Sequence, residues 1–219
     1  MSGAAGMTGQ DAGRLLRLAP AFCLPFYAEA GRAYHTAAHV QAMLDALAER
    51  GVLTDTLGLA VWGHDLIYDA RGTDSEARSA ERFGAWLESQ GAEGELVAEV
   101  RRLIVETEHR APPTDRAAAL LVDADLGVFG APDAAFWAYE RAIRAEYRFV
   151  PWPAYQAGRT RVLEGFLGRA VYVTPEFSGL EGGARTHLQA AVTVLAGARD
   201  EVDAQDRWDA LLRSRAPQA

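Results

Sequence analysis

The sequence predicts an all-α protein, a single-domain helical bundle. Three observations lead there. Apolar residues recur at the three- and four-residue spacing of one helix face. Segments open and close on recognisable helix start and stop residues. Runs of alternating β-branched residues, the mark of a sheet, are missing.

In chain order, the opening stretch MSGAAGMTGQDAG has neither a basic start nor an apolar core, so it does not read as a signal peptide. Residues 1–8 are expected to form a flexible tail ahead of a domain over 9–213. Val40, Met43, Leu44 and Leu47 share one helix face, and that helix stops at Gly51. The apolar flanks of Ala60-Val61-Trp62-Gly63-His64-Asp65-Leu66-Ile67 predict a buried helix carrying the His-Asp pair. Leu96, Val100, Leu103 and Ile104 mark another helix beyond the glycines at 91 and 94. Thr114-Asp115, after Pro112-Pro113, starts the next one and Gly130 closes it. Ala131-Pro132-Asp133 opens a helix with Phe136, Tyr139, Ile143 and Tyr147 on one face. Thr174-Pro175-Glu176 places a capping hydroxyl before a proline and an acid, a further start signal. About eight to ten helices of ordinary length fit the chain. No linker rich in Pro, Ser or charge divides it, so one domain is expected, with the end from Ser214 frayed.

Composition limits the functional classes. With 219 residues, 49% hydrophobic and 24% charged, the chain can bury a sizeable core. A net charge of −8 does not suit long nucleic acid, whose backbone asks for a basic stripe. A small phosphorylated ligand is still compatible, because a bound cation reverses the local field. Cys23 is the single cysteine, which excludes an intramolecular disulfide and a thiolate zinc cluster. Any metal must then be held by imidazole and carboxylate. No apolar run approaches the roughly 20 residues of a membrane span, and a soluble, cytoplasmic protein without a membrane partner is expected.

The histidines and acids then carry the chemistry. His35 and His39 are four apart, so on a helix both rings project from one face. His64 and Asp65 are neighbours in apolar sequence, and a carboxylate in such a setting costs several kcal/mol unless paired or coordinated. Asp123 and Asp125 are embedded in Leu120-Leu121-Val122-Asp123-Ala124-Asp125-Leu126. Two residues apart on a helix they diverge by about 200°, so only one of them faces a given ion. Each element alone is weak. The ordered set of paired His, His-Asp and buried acid predicts a divalent-metal site, with imidazole and carboxylate suiting Mn, Fe, Zn or Ni, and Mg where water completes the shell. His187 reads as structural.

This set resembles the HD-domain superfamily of metal-dependent phosphohydrolases, all-helical proteins named for adjacent His-Asp ligands. It is most similar to a branch of predicted HD phosphohydrolases with a Tyr-His-Asn-x-x-His segment, an HD pair followed by Tyr-Asp, and an Asp-Ala-Asp-Leu segment. Here these are Tyr34-His35-Thr36 with His39, His64-Asp65-Leu66-Ile67-Tyr68-Asp69, and Asp123-Ala124-Asp125-Leu126. Ser75-Glu76 with Ser79-Ala80, Thr107 with His109, Gly158-Arg159 and Ala184-Arg185 extend the likeness over roughly residues 30 to 190. Thr36 and Ser75 stand where the branch usually has asparagine.

The resemblance implies hydrolysis of a small phosphate ester, most naturally a nucleotide, by metal-activated water. Cyclic nucleotide phosphodiesterases share the HD core, and the likeness to them makes His39 the ligand and His35 the proton donor, and favours Asp125 over Asp123. The implied ligand set is therefore His39, His64, Asp65 and Asp125. HD proteins with two metals generally place two histidines between the HD pair and the last aspartate. Only His109 lies there, which implies a single divalent ion (Mn, Mg, Ni, Zn or Fe). Asp69, read as one helical turn beyond Asp65, takes the place of an aspartate that orients water in HD-type guanosine-tetraphosphate hydrolases. His109, Arg159 and Arg185 are the candidates for phosphate contact, arginine because it grips phosphate bidentately. The competing expectation is a non-catalytic nucleotide sensor on the same fold.

Overall fold

The computed structural model describes residues 4–215. The all-α expectation holds, with ten α-helices and no strand among the described residues. They are α1 (Ala4–Tyr27), α2 (Ala37–Glu49), α3 (Asp55–Gly63), α4 (Ser75–Ser89), α5 (Gly94–Glu106), α6 (Arg116–Asp125), α7 (Asp133–Glu146), α8 (Trp152–Leu167), α9 (Glu181–Gly197) and α10 (Glu201–Arg215). None is long and apolar enough to cross a membrane.

Most boundaries follow the local chemistry read from the sequence. The Asp115 carboxylate accepts from the Ala118 amide at 2.9 Å and caps α6. Gly51 and Gly91, just past α2 and α4, adopt φ of +68° and +83°, the left-handed conformation in which glycine ends helices. The start expected at Thr174 is corrected. Thr174 O accepts from the amides of Phe177 and Ser178, closing one turn that runs into a 3-10 segment (Ser178–Leu180), and α9 begins only at Glu181.

By its contacts the chain divides into two compact units, Met1–Asp125 and Leu126–Ala219. No linker marks the division because it falls where α6 passes directly into a 3-10 turn (Leu126–Gly130). Of the expected tail over 1–8, residues 4–8 belong to α1, and residues 1–3 lie outside those described. At the other end α10 runs to Arg215.

In the first unit α3 is the central element, packed against α1, α2, α4, α5 and α6. Its residues from Leu57 to Gly63 are all buried, as expected for a helix that is apolar on every side. Gly63 is required there. A Cβ at that position would lie 2.6 Å from Phe83 Cδ1 and 2.7 Å from Ile104 Cδ1. In the second unit α9 packs on α8, α10 and the 126–130 turn. His187 on α9 places Nδ1 2.7 Å from Phe129 O and Nε2 2.7 Å from Asp133, and its ring stacks on Phe136. That is a structural role.

Candidate metal centre

The sequence expects His64 and Asp65 inside a helix. They lie just past its end instead, since α3 stops at Gly63. Side chains capture the terminal carbonyls that would continue the helical ladder: His64 Nδ1 donates to Val61 O at 2.8 Å and the Tyr27 hydroxyl to Trp62 O at 3.0 Å. The chain turns away there, and both residues of the pair stay buried. Beyond them, Ser79 Oγ accepts from Ile67 N (2.9 Å) and donates to Ile67 O, while Ser75 Oγ accepts from Asp69 N (3.2 Å). The start of α4, through Ser75 and Ser79, thereby fixes the segment that follows the His-Asp pair.

His39 lies in the first turn of α2, whereas His35 precedes that helix, separated from it by the N-cap Thr36. The two rings do not project from one helix face as a continuous helix would place them. His35 stacks on Tyr68 with centroids 4.2 Å apart and meets His39 edge-on at 6.1 Å.

Three side-chain atoms form one close group, and Asp65 flanks it. His39 Nε2 and His64 Nε2 are 3.3 Å apart. Asp125 Oδ1 is 3.0 Å from the first and 3.8 Å from the second. Asp65 Oδ2 is 2.9 Å from His64 Nε2 and 4.0 Å from His39 Nε2. Of the two acids on α6, Asp125 joins the group, while Asp123 is wholly buried. His109 Nε2 donates to the second oxygen of Asp125 at 2.8 Å. His109 follows α5 with φ of +55°, a left-handed conformation unusual for a residue with a Cβ.

The electrostatics of the group ask for a cation. His64 Nδ1 is committed as a donor, so its Nε2 lone pair would face the Asp65 carboxylate unless a proton or a metal ion lies between. Without a metal, N–H bonds from His39 and His64 to the two carboxylates confront each other across the 3.3 Å gap. Burial lowers the basicity of both imidazoles. For His39 burial wins, and its pKa falls below 6.5. For His64 the adjoining Asp65 charge and hydrogen bond outweigh burial and carry it up to about 9. Burial alone would raise the Asp65 and Asp125 carboxyls, but the surrounding histidines hold both below the ordinary carboxylate range. His39, His64 and Asp125 offer ligand atoms all within 4.8 Å of one another, a group able to hold a metal ion. Two imidazoles with carboxylate fit the borderline divalent ions.

No family model, curated protein or solved structure matches the chain. The site therefore rests on its own geometry.

The remaining candidates are distributed as follows. Asp69 is not one turn beyond Asp65 on a shared face, because the helix has already ended. It is exposed, and its Oδ1 accepts from the Arg71 amide at 2.9 Å. Arg159 and Arg185 belong to the second unit. Arg159 is buried in an ion pair with Glu140 and also donates to the Tyr139 hydroxyl. Arg185 is largely exposed and donates to Leu167 O, Arg169 O and Glu181. Sequence reasoning gave no role to Glu76 beyond its place in the likeness; it is half-buried, and its carboxyl is raised by burial, with Asp65 and Glu108 adding to the effect. The same reasoning missed Arg32. Arg32 has no signature beyond an ordinary charged residue in a polar stretch.

Proposed function

We propose that the chain is a metal-dependent phosphohydrolase of the HD type, acting on a nucleotide or another small phosphate ester. The observation that carries this reading is the close grouping of two imidazole nitrogens with an Asp125 oxygen, an Asp65 oxygen lying 2.9 Å from His64 Nε2. Their order along the chain (His, His-Asp, Asp) supports it, being the order of the resemblance.

In this reading His39, His64, Asp65 and Asp125 hold one divalent ion. When bound, that ion supplies Lewis-acid polarisation of the phosphoryl group and acidification of water. His64 is held in the ligating tautomer by its Nδ1–H bond to Val61 O. His109 fixes the rotation of the Asp125 carboxylate by binding the oxygen turned away from the imidazoles. His35 borders the ligands, and its charge is among those that keep Asp65 ionised. It is assigned the transfer of a proton to the leaving oxygen. Asp69 drops out of the mechanism, since its carboxylate caps a loop amide. Arg159 is committed to Glu140, so the cation in the ligand group is the principal partner for phosphate charge.

The test is hydrolysis of nucleoside mono-, di- and triphosphates and cyclic nucleotides with Mn²⁺, Mg²⁺ or Ni²⁺, followed by chromatography of the nucleotide products, against EDTA-treated protein. Turnover should depend on metal and fall to background in His64→Ala and Asp65→Ala, both with metal lost. Wild-type metal content and turnover in those variants would sink the assignment. Nucleotide binding without turnover on any substrate would favour the sensor.

A further inference from the structure

Arg32 is the buried cation of the first unit that the sequence gives no reason to single out. Its side chain is only 3% exposed. Nη1 donates both to Asp65 O at 2.7 Å and to His35 O at 3.1 Å, and Nη2 donates to Leu66 O at 2.9 Å. The Tyr27 and Tyr68 rings flank the guanidinium at 5.3 and 5.6 Å. Its acidic contact is a 3.5 Å approach to Glu29, whose side chain is 54% exposed. Removing a guanidinium from water costs several kcal/mol, which neutral carbonyls repay less fully than a buried carboxylate would. The arrangement makes sense as geometry. One planar fork joins the strand of chain entering α2, which carries His35 and His39, to the chain leaving α3, which carries His64 and Asp65.

We propose that Arg32 is the positioning residue of the metal centre, setting the separation between the ligand of α2 and the His-Asp pair. The inference rests on the metal-binding reading of that centre. It is specific to arginine. A lysine ammonium restores the charge but lacks the flat, two-nitrogen fork that reaches three carbonyls from two segments. A mere scaffold role would lower thermal stability without altering the metal.

The test is titration with Co²⁺, followed by its visible d–d absorption, on wild type, Arg32→Ala and Arg32→Lys. Thermal midpoints in EDTA are measured in parallel, with His64→Ala as the non-binding control. Wild type should bind one equivalent with a defined spectrum. Arg32→Lys should fold with a midpoint near wild type, yet bind Co²⁺ about 10- to 100-fold more weakly and with a changed band shape. Arg32→Ala should bind at least as weakly, and where it does not fold, the lysine variant decides. Folded variants with the wild-type affinity and spectrum would overturn the inference while leaving the metal centre standing. No Co²⁺ binding by wild type would overturn both.

Discussion

At the scale of single residues, the proposed metal reading sets protons and a metal ion in competition for the same lone pairs. The His64 pKa in the folded, metal-free protein is raised from 6.5 to about 9. Its contribution to stability is therefore complete below about pH 6.5 and lost as pH rises through about 9. Metal must displace that same proton, so metal affinity changes in the opposite sense. Melting in EDTA should show the midpoint falling between pH 6.5 and 9, while Mn²⁺ or Ni²⁺ affinity climbs over the same window. A second prediction concerns His109. Asparagine tolerates its left-handed φ of +55° but cannot reproduce the imidazole bond to Asp125. His109→Asn should weaken metal binding by about 10- to 100-fold, with a thermal midpoint in EDTA close to wild type. Equal metal affinity would reduce His109 to a loop residue.

At the scale of elements, α3 delivers the His-Asp pair, and its two ends should respond differently to mutation. Thr54 caps its start, with Oγ1 accepting from Leu57 N at 3.2 Å. Thr54→Ala should cost about 1 kcal/mol of stability and leave metal affinity unchanged. Gly63→Ala forces a methyl into Phe83 and Ile104, an overpacking that costs typically 1–3 kcal/mol. It also displaces the adjacent His64, so stability and metal affinity should fall together in parallel denaturation and titration experiments. Helix faces and caps were legible in the sequence because each depends on residues within a few positions. The end of α3 was not legible. It is decided by Tyr27, thirty-five residues away, and by a ring that turns back on its own helix. Arg32 was hidden for the same reason. Its partners are backbone carbonyls, which every sequence has. Asp69 was misplaced because the helical register was carried past Gly63.

At the scale of the molecule, the four candidate ligands, with Arg32 and His109, all lie within Met1–Asp125. The buried Glu140–Arg159 pair belongs to the other unit, with Glu140 wholly inaccessible. Glu140→Gln leaves Arg159 buried without its counter-charge, which should cost about 3–5 kcal/mol. Denaturant unfolding should register that loss, while Mn²⁺ titration of the folded variant gives the wild-type affinity. The helical class was readable from periodicity, whereas the choice of His39 over His35 and of Asp125 over Asp123 came only with the family resemblance.

The position of Asp125, the final residue of both α6 and the first unit, also has a consequence during synthesis. His39, His64 and Asp65 leave the ribosome first, and Asp125 follows 125 − 65 = 60 residues later. At about 5–20 residues per second this is a wait of roughly 3 to 12 seconds. For that interval a nascent chain offers two imidazoles and one carboxylate, a weaker and less selective donor set than the finished four. In the proposed metal reading, the full ligand set therefore exists only once the last helix of the unit has been made.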